Sequence, residues 1–392
     1  TGKEGKLKIN VRHEQSLSMS TDQIDLADPI SYMKLHNEAT LARDPFANRF
    51  YSLEKIEPTE RGVNPYAYPA TDWYNLLFKD EVRNTRTNIN LSGGSPKVTY
   101  YLAGTFNEDN GNINVDKQNN FNNNINVKTF VLRSNVGLNL TKTTDATIRF
   151  TGQFRDNNGP LISGNDTYNM VLRADPVAFA PSFKPEHLTA PRNHVLFGND
   201  PNENYLNPYA ETVKGFREST YTQMKTQVVI NQDFNFITEG LKAKLLFATD
   251  RISSFDAQRQ YNPYYYSVAP GSYNQVDNTF FLTAKNPEQG TEFLDYIPSD
   301  KTVNTSNYYE MVLNYNREFA EKHNVSGMLV ATRRNYEEPG SDLTSSLPHR
   351  NIGYAGRFSY GLDSKYFAEF NFGLNGSERF AKKNRWGFFP SA

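Results

Sequence analysis

The sequence predicts an all-β protein: antiparallel strands that cross a membrane as part of a β-barrel, with short turns at one end and long loops at the other. Three observations predict it. The first is a recurring hairpin. In NINLSGGSPKVTYYLAGTF, residues 88–106, Ile89 and Leu91 lead into a tight SGGSP corner and Val98, Tyr100, Leu102 and Phe106 lead out on the same face. The second is loop length. Corners near 93–96, 141–144, 238–240, 320–323 and 363–364 are short, whereas 156–217 and 256–304 are long and rich in Asn, Pro, Gly and Tyr, the layout of outer-membrane barrels with periplasmic turns and extracellular loops. The third is composition. Only 37% of the residues are hydrophobic, yet Tyr (24) and Phe (27) are abundant. A chain that is hydrophilic on average can still span a membrane when every second residue faces water.

The elements follow in order. A first strand lies near 5–18. Residues 20–83 read as a long excursion, with SYMKLHNEATLA helical after the Asp28-Pro29 pair and TDWYNLLFKDEV as a second short helix. Strands at 85–93 and 98–106 form the hairpin already described. In FVLRSNVGLNL, Phe130, Leu132, Val136, Leu138 and Leu140 oppose Arg133, Asn135 and Asn139; past TKTT, Ala146, Ile148, Phe150 and Phe154 oppose Arg149, Thr151, Gln153 and Arg155. Val228, Ile230, Phe234 and Phe236 oppose Gln227, Asn231 and Asp233, and Leu241, Ala243, Leu245 and Phe247 oppose Lys242, Lys244 and Asp250. Tyr309, Met311, Leu313, Tyr315 and Phe319 oppose Glu310, Asn314 and Glu318, and Val325, Leu329 and Ala331 return. Tyr354, Phe358, Tyr360 and Leu362 oppose Arg357, and Tyr366, Phe370, Phe372 and Leu374 oppose Glu369 and Asn371. About ten alternating residues per side suit a tilted membrane crossing. The alternation has flaws: Gln232 and Arg317 fall on apolar faces, Val229, Val312 and Val330 on polar ones. The count is eleven, which is odd, and an open sheet in lipid leaves unpaired edges, so the chain reads as part of a barrel.

Much is excluded. A net charge of -1 gives no basic footprint for nucleic acid, and the absence of cysteine removes disulfide and thiol chemistry. No apolar run is long enough for a membrane helix, and TGKEGKLKINV has no signal-peptide core. No GxSxG, HExxH, P-loop or dinucleotide fingerprint occurs, so no catalytic site, cofactor or metal is expected. His187 and His194 lack metal-ligand spacing, and GNDPNEN reads as a turn in preference to a calcium loop. The residues expected to face a wet lumen and to touch substrate or plug are Arg133, Arg149, Arg155, Asp233, Glu310, Arg357 and Glu369. The Tyr- and Asn-rich loop QYNPYYYSVAPGSYNQ is expected to stack on sugars.

These residues resemble, in order and character, the SusC/RagA family of TonB-linked outer-membrane transporters of the Bacteroidetes. SGGSPKVTYYLAGTFNEDNGNI resembles the family's second and third barrel strands, NPYAE with DFNFITEGLKAKLLFATD its middle block, and GYAGRFSYGLDSKYFAEFNFGLNGSERFAKKNRWGFFPS its most recognisable barrel stretch. Within the last, Arg379, Phe380, Asn384, Arg385, Trp386 and Gly387 read as a structural extracellular loop held by Arg379, Arg385 and Trp386. The resemblance implies that residues 1–392 are a partial barrel domain, about half of a twenty-two-stranded barrel. It implies that the signal peptide, TonB box and plug would precede Thr1 and that the other half of the barrel would follow. It further implies TonB-dependent uptake of a large glycan or peptide across the bacterial outer membrane. The implied partners are a SusD-like lipoprotein lid, the TonB complex, the protein's own plug and outer-membrane lipid. A soluble or surface β-sandwich, serving as a glycan-binding or adhesin module, is the alternative, since it too would bury alternating rings.

Overall fold

The computed structural model describes residues 2–21, 24–115, 119–190 and 192–392. Thr1 and residues 22–23, which belong to the predicted lead-in and excursion, lie outside them. Twelve strands follow one another along a single antiparallel sheet. They are β1 (Gly5–Met19), β2 (Glu81–Gly94), β3 (Val98–Asn110), β4 (Asn126–Asn139), β5 (Thr144–Gly159), β6 (Gly215–Asp233), β7 (Leu241–Gln260), β8 (Thr302–Phe319), β9 (His323–Glu337), β10 (His349–Leu362), β11 (Tyr366–Ser377) and β12 (Trp386–Ser391). Each pairs with the next, so the wall is a meander of hairpins, and a short strand, Asp295–Pro298, adds to the far end of β7. β1 and β12 each have one neighbour, so the described sheet is not closed.

The twelfth strand corrects the count of eleven. It arises from WGFFPS, which the sequence reading left in the motif loop: Gly387 pairs with Asn375 and Pro390 with Phe372. Adjacent Phe388 and Phe389 break the alternation, and proline cannot donate to a ladder, so no two-residue period marks this segment. The other strands also outrun expectation. β6 has 19 residues and β7 has 20, about twice the predicted crossing, and their far halves are rich in polar residues.

Every second connection is short. Residues 95–97, 140–143, 234–240, 320–322 and 363–365 close one end of the wall; 20–80, 111–125, 160–214, 261–301, 338–348 and 378–385 all lie at the other. Two of the corners hold consecutive residues in the left-handed region, Ala320 and Glu321 (φ 50° and 55°) and Asp363 and Ser364 (φ 50° and 56°). Lys322 N–H donates to the Phe319 carbonyl at 3.2 Å and Lys365 N–H to that of Leu362 at 2.9 Å. Paired left-handed residues match the twist of the flanking strands, which is why two-residue hairpins accept their steric cost.

The long connections fold. The excursion carries α1 (Pro29–Arg43), α2 (Leu53–Glu60) and α3 (Trp73–Leu77); residues 160–214 carry α4 (Gly164–Arg173) and α5 (Pro208–Val213). Asp28 caps α1 by accepting from the Ile30 and Ser31 N–H groups at 3.0 Å each, with Pro29 in the first turn where its missing donor costs nothing. The helix predicted over TDWYNLLFKDEV shrinks to α3, because Phe78 turns extended and Glu81 opens β2. The connections at 160–214 and 261–301, expected as irregular loops, share a four-stranded sheet: Leu282–Ala284, Tyr264–Val268, Leu196–Gly198 and Ser182–Phe183. Gly198 is required there, since a Cβ would stand 1.7 Å from the Ala180 carbonyl oxygen.

Together these connections form a cap with its own core. Trp73, Leu77, Phe78, Ile113, Val171, Phe179, Phe197, Tyr209, Ala210 and Val213 pack together, drawn from three different connections. A second cluster joins Met33, Tyr51, Ile56 and Val177, and a third Ala180, Phe183, Leu196 and Tyr266.

Candidate functional site, a polar wall beneath a folded cap

Residues directly opposite one another in a β-ladder share a face, so the register sorts the wall's side chains. Starting at Val98, successive cross-strand partners are Leu138, Ala146, Ile230, Leu245, Met311, Ala331, Tyr354, Leu374 and Phe388. That row crosses ten strands without a polar residue. Its face is open to its surroundings: Leu132, Leu245, Met311, Tyr354 and Phe358 are all exposed. The misfits Gln232 and Arg317 sit at the short-turn end of this face. Gln232 accepts from Thr144 Oγ1 at 2.7 Å and Arg317 lies 3.6 Å from Glu239.

The seven predicted lumen residues lie on the opposite face. Arg133 faces Thr151, Arg149 faces Gln227, Arg155 faces Tyr221, Asp233 faces Lys242, Glu310 faces Leu246 and Thr332, Arg357 faces Met328, and Glu369 faces Ser359. The register does not bring them together as one site. Glu310 accepts from Lys244 Nζ at 3.0 Å and from the Tyr308 hydroxyl at 2.8 Å. Asp233 lies 3.8 Å from Lys242, and Arg357 lies 3.7 Å from Glu369. On β4 and β5 the charges are not matched: Arg149 donates to neutral Gln227 at 2.9 Å, and Arg133 and Arg155 have no ion pair or hydrogen bond among the described residues. This stretch of the polar face is therefore cationic.

In the motif loop, Arg379 Nη2 lies 3.2 Å from His349 Nδ1, Arg385 donates to the Phe380 carbonyl at 3.2 Å, and Asn384 N–H donates to the Ala381 carbonyl at 2.7 Å. Trp386 and Gly387 belong to β12, where Trp386 stacks with Tyr354 at 6.3 Å between centroids.

The cap binds its own aromatic residues. Tyr264 stacks on His194 at 3.9 Å, Tyr266 donates to or accepts from His194 Nε2 at 2.8 Å, and Tyr265 packs against Phe197. Burial pushes the Tyr265 hydroxyl up to about 12 and pulls His194 and His187 below the usual histidine range. The expectation that QYNPYYYSVAPGSYNQ stacks on sugars is thus corrected for Tyr264, Tyr265 and Tyr266, whose rings are engaged inside the cap. The histidines that looked like ordinary loop residues are seams between connections: His187 meets Tyr66 at 4.4 Å and Phe280 at 4.8 Å. GNDPNEN is a turn, its Asp200 carboxylate accepting from the Asn202 and Glu203 N–H groups at 2.8 and 3.0 Å.

Between the excursion and α4 lies a cleft of about 340 Å³ walled by Tyr32, Trp73, Tyr74 and Leu172, with Asp25 and Asn75 at its polar side. Its aromatic wall was not legible in the sequence, since Tyr32 and Trp73 stand in different helices. Nearby, Tyr51 donates to Asp175 at 2.9 Å, and Lys55 sits 5.4 Å over the Tyr51 ring with its pKa lowered by burial.

A two-faced antiparallel meander whose long connections all lie at one end has the layout of a β-barrel wall. No family model and no curated protein matches the chain. Among solved structures it is similar to the RagAB peptide transporter, at 13% identity and a TM-score of 0.61, over 99% of this chain and 44% of that one. It is likewise similar to the RagAB peptide importer in the open-open state, at 14% identity and a TM-score of 0.62 over the same shares. The chain spans less than half the length of these neighbours. At such identities the likeness shows the fold alone.

Proposed function

We propose that this chain is the wall and outer cap of an outer-membrane importer that takes up a large nutrient in a TonB-dependent manner. The polar face lines the lumen, the apolar face meets lipid, and further strands complete the barrel between β1 and β12. The observation that carries the reading is the complete sorting of connections on a two-faced wall. A soluble sandwich would lay a second sheet on the apolar face, whereas that face is uncovered and the smaller sheet belongs to the cap.

Of the two substrate classes, a peptide is favoured over a glycan. Tyr264, Tyr265 and Tyr266 are engaged within the cap, and the unmatched Arg133, Arg149 and Arg155 suit carboxylates, either of a peptide or of the protein's own plug. The neighbour's description as a peptide transporter agrees with this choice. A SusD-like lipoprotein closing over the cap, and the TonB complex acting from the turn side, complete the proposal.

The test is topological and functional. Tags at Gly271, which is exposed in the cap, and at Thr143, in a short corner, are probed on intact cells of a strain carrying the full-length protein. Labelling at Gly271 alone supports the reading, and labelling at Thr143 alone or at both overturns it. Uptake of labelled peptides that falls when Arg133, Arg149 and Arg155 are changed to Gln together supports the substrate class; loss of oligosaccharide uptake alone overturns it.

A further inference from the structure

One arginine breaks the apolar face in a way the turn-end misfits do not. Arg333, on β9, faces Tyr309 of β8 and Ile352 of β10, and so stands on the same face as Met311 and Tyr354. It is exposed and makes no hydrogen bond, ion pair or ring contact with any described residue. Its diagonal neighbour Arg350 is already engaged, 3.8 Å from Glu378 and donating to Asn335 at 3.3 Å; Glu337, further out on β9, accepts from Asn335 at 2.8 Å. Arg333 thus retains a full guanidinium fork.

Its height along the wall matters. Arg317 marks the other margin, level with Val325 of β9 and 4.9 Å over the Phe319 ring. From Val325 to Arg333 the strand advances about 27 Å at ~3.4 Å per residue. With the usual tilt of about 40° that is roughly 20 Å of depth, close to the ~25 Å apolar band of outer-membrane barrels. Arg333 therefore stands at the cap-side border of the band. Directly below it runs a groove of about 580 Å³ lined by Val228, Leu245, Phe247, Tyr309, Met311 and Tyr354, with Arg333 on its rim.

We infer that this groove is a binding site for a phosphate-bearing membrane lipid, whose acyl chain lies in the groove and whose headgroup phosphate is held by Arg333. The inference rests on the lipid-facing assignment of the apolar face. A guanidinium matches a phosphate by two parallel hydrogen bonds, and at a bilayer border the pairing is stronger than in open water. An unpaired cation facing a bilayer is costly unless an anion meets it, and the bilayer supplies that anion at this height.

The full-length protein, purified in a neutral detergent, is given phosphatidylglycerol or the phosphate-free diacylglycerol with the same acyl chains, and the retained lipid is counted by native mass spectrometry. Wild type is expected to retain phosphatidylglycerol in preference. Arg333→Gln should lower that retention about tenfold, the loss of one charged hydrogen-bonded pair. Arg333→Lys should keep part of it, and Lys365→Gln, in a distant corner, should leave it unchanged. Equal retention by wild type and Arg333→Gln overturns the site, as does displacement of the lipid by equimolar inorganic phosphate or equal retention of the phosphate-free diacylglycerol. A fluorophore on Met311→Cys, challenged with brominated lipid in a bilayer, separates the two layers of the argument. Quenching with unchanged retention in Arg333→Gln removes the headgroup site and keeps the lipid face; no quenching removes both.

Discussion

The wall and the cap are built from the same chain by opposite uses of apolar residues. All of the buried hydrophobic side chains except Ala146, Val229 and Ala257 lie outside the twelve wall strands. The cap behaves as a small globular protein with Phe197 and Met33 fully enclosed, whereas the wall leaves Ile9, Val11, Leu132 and Met311 exposed. The difference teaches that each region answers to a different solvent. The cap hides apolar surface from water within itself; the wall leaves its apolar face uncovered, as the proposed contact with lipid requires, while its backbone is satisfied by its ladders.

Perturbing one region at a time should break this comparison cleanly. The largest effect is expected from Phe197→Ala, which deletes a ring from the main cap cluster and should cost about 3–5 kcal/mol of cap stability. In the full-length protein, hydrogen exchange should rise across 160–214 and 261–301 while the folded barrel still migrates faster than its boiled form. Loss of the barrel band would mean that cap and wall are a single cooperative unit.

The next effect belongs to the wall. Leu313→Arg, near the middle of the apolar band on β8, should cost about 2–4 kcal/mol if lipid surrounds it. Its neighbour Asn314→Arg faces water opposite Lys242 and should cost under about 1 kcal/mol. Urea titration of the barrel in vesicles measures both, and equal costs would remove the distinction between the faces.

The smallest effect is a pH dependence confined to the cap. His187 and His194 have folded pKa values lowered chiefly by burial, so between those values and about 6.5 the unfolded cap binds more protons than the folded one. The stability they contribute is present above pH ~6.5 and is lost as the pH falls through that window. Protection factors at Tyr264 to Tyr266, which correct for the slower intrinsic exchange at lower pH, should therefore fall on acidification, and less so in His194→Gln. An equal fall in β4 and β5 would show that the effect is not local to the cap.

The wall was legible in the sequence and the cap was not, for a physical reason. A half-exposed strand writes a two-residue period, so Phe130 to Leu140 or Tyr309 to Phe319 declare their faces before any partner is known. Cap residues such as Ile113 and Phe179 are single apolar positions in irregular segments, Val213 ends a helix of six residues, and only folding reveals that they meet. The parallel pairing of Leu196–Gly198 with Tyr264–Tyr266 has no local signal at all. For the candidate site, the period placed Arg133, Arg149 and Glu310 on one side, but which charges find partners depends on register: Glu310 meets Lys244 because β7 and β8 align as they do, and Arg155 meets no carboxylate.

The distances spanned within the cap bear on how the chain folds. Neighbouring wall strands close through corners of a few residues, so each hairpin can form as soon as its own sequence is available. By contrast, Tyr51 bonds to Asp175 across 124 positions and Asn64 to Asn278, at 2.8 Å, across 214. Those contacts carry a high loop-closure cost until the intervening strands have been laid side by side. Assembly is then ordered by topology: hairpins add one after another, the excursion after β1 waits until the connection after β5 brings Val171, Asp175 and Val177 to it, and the connection after β7 adds its contacts last.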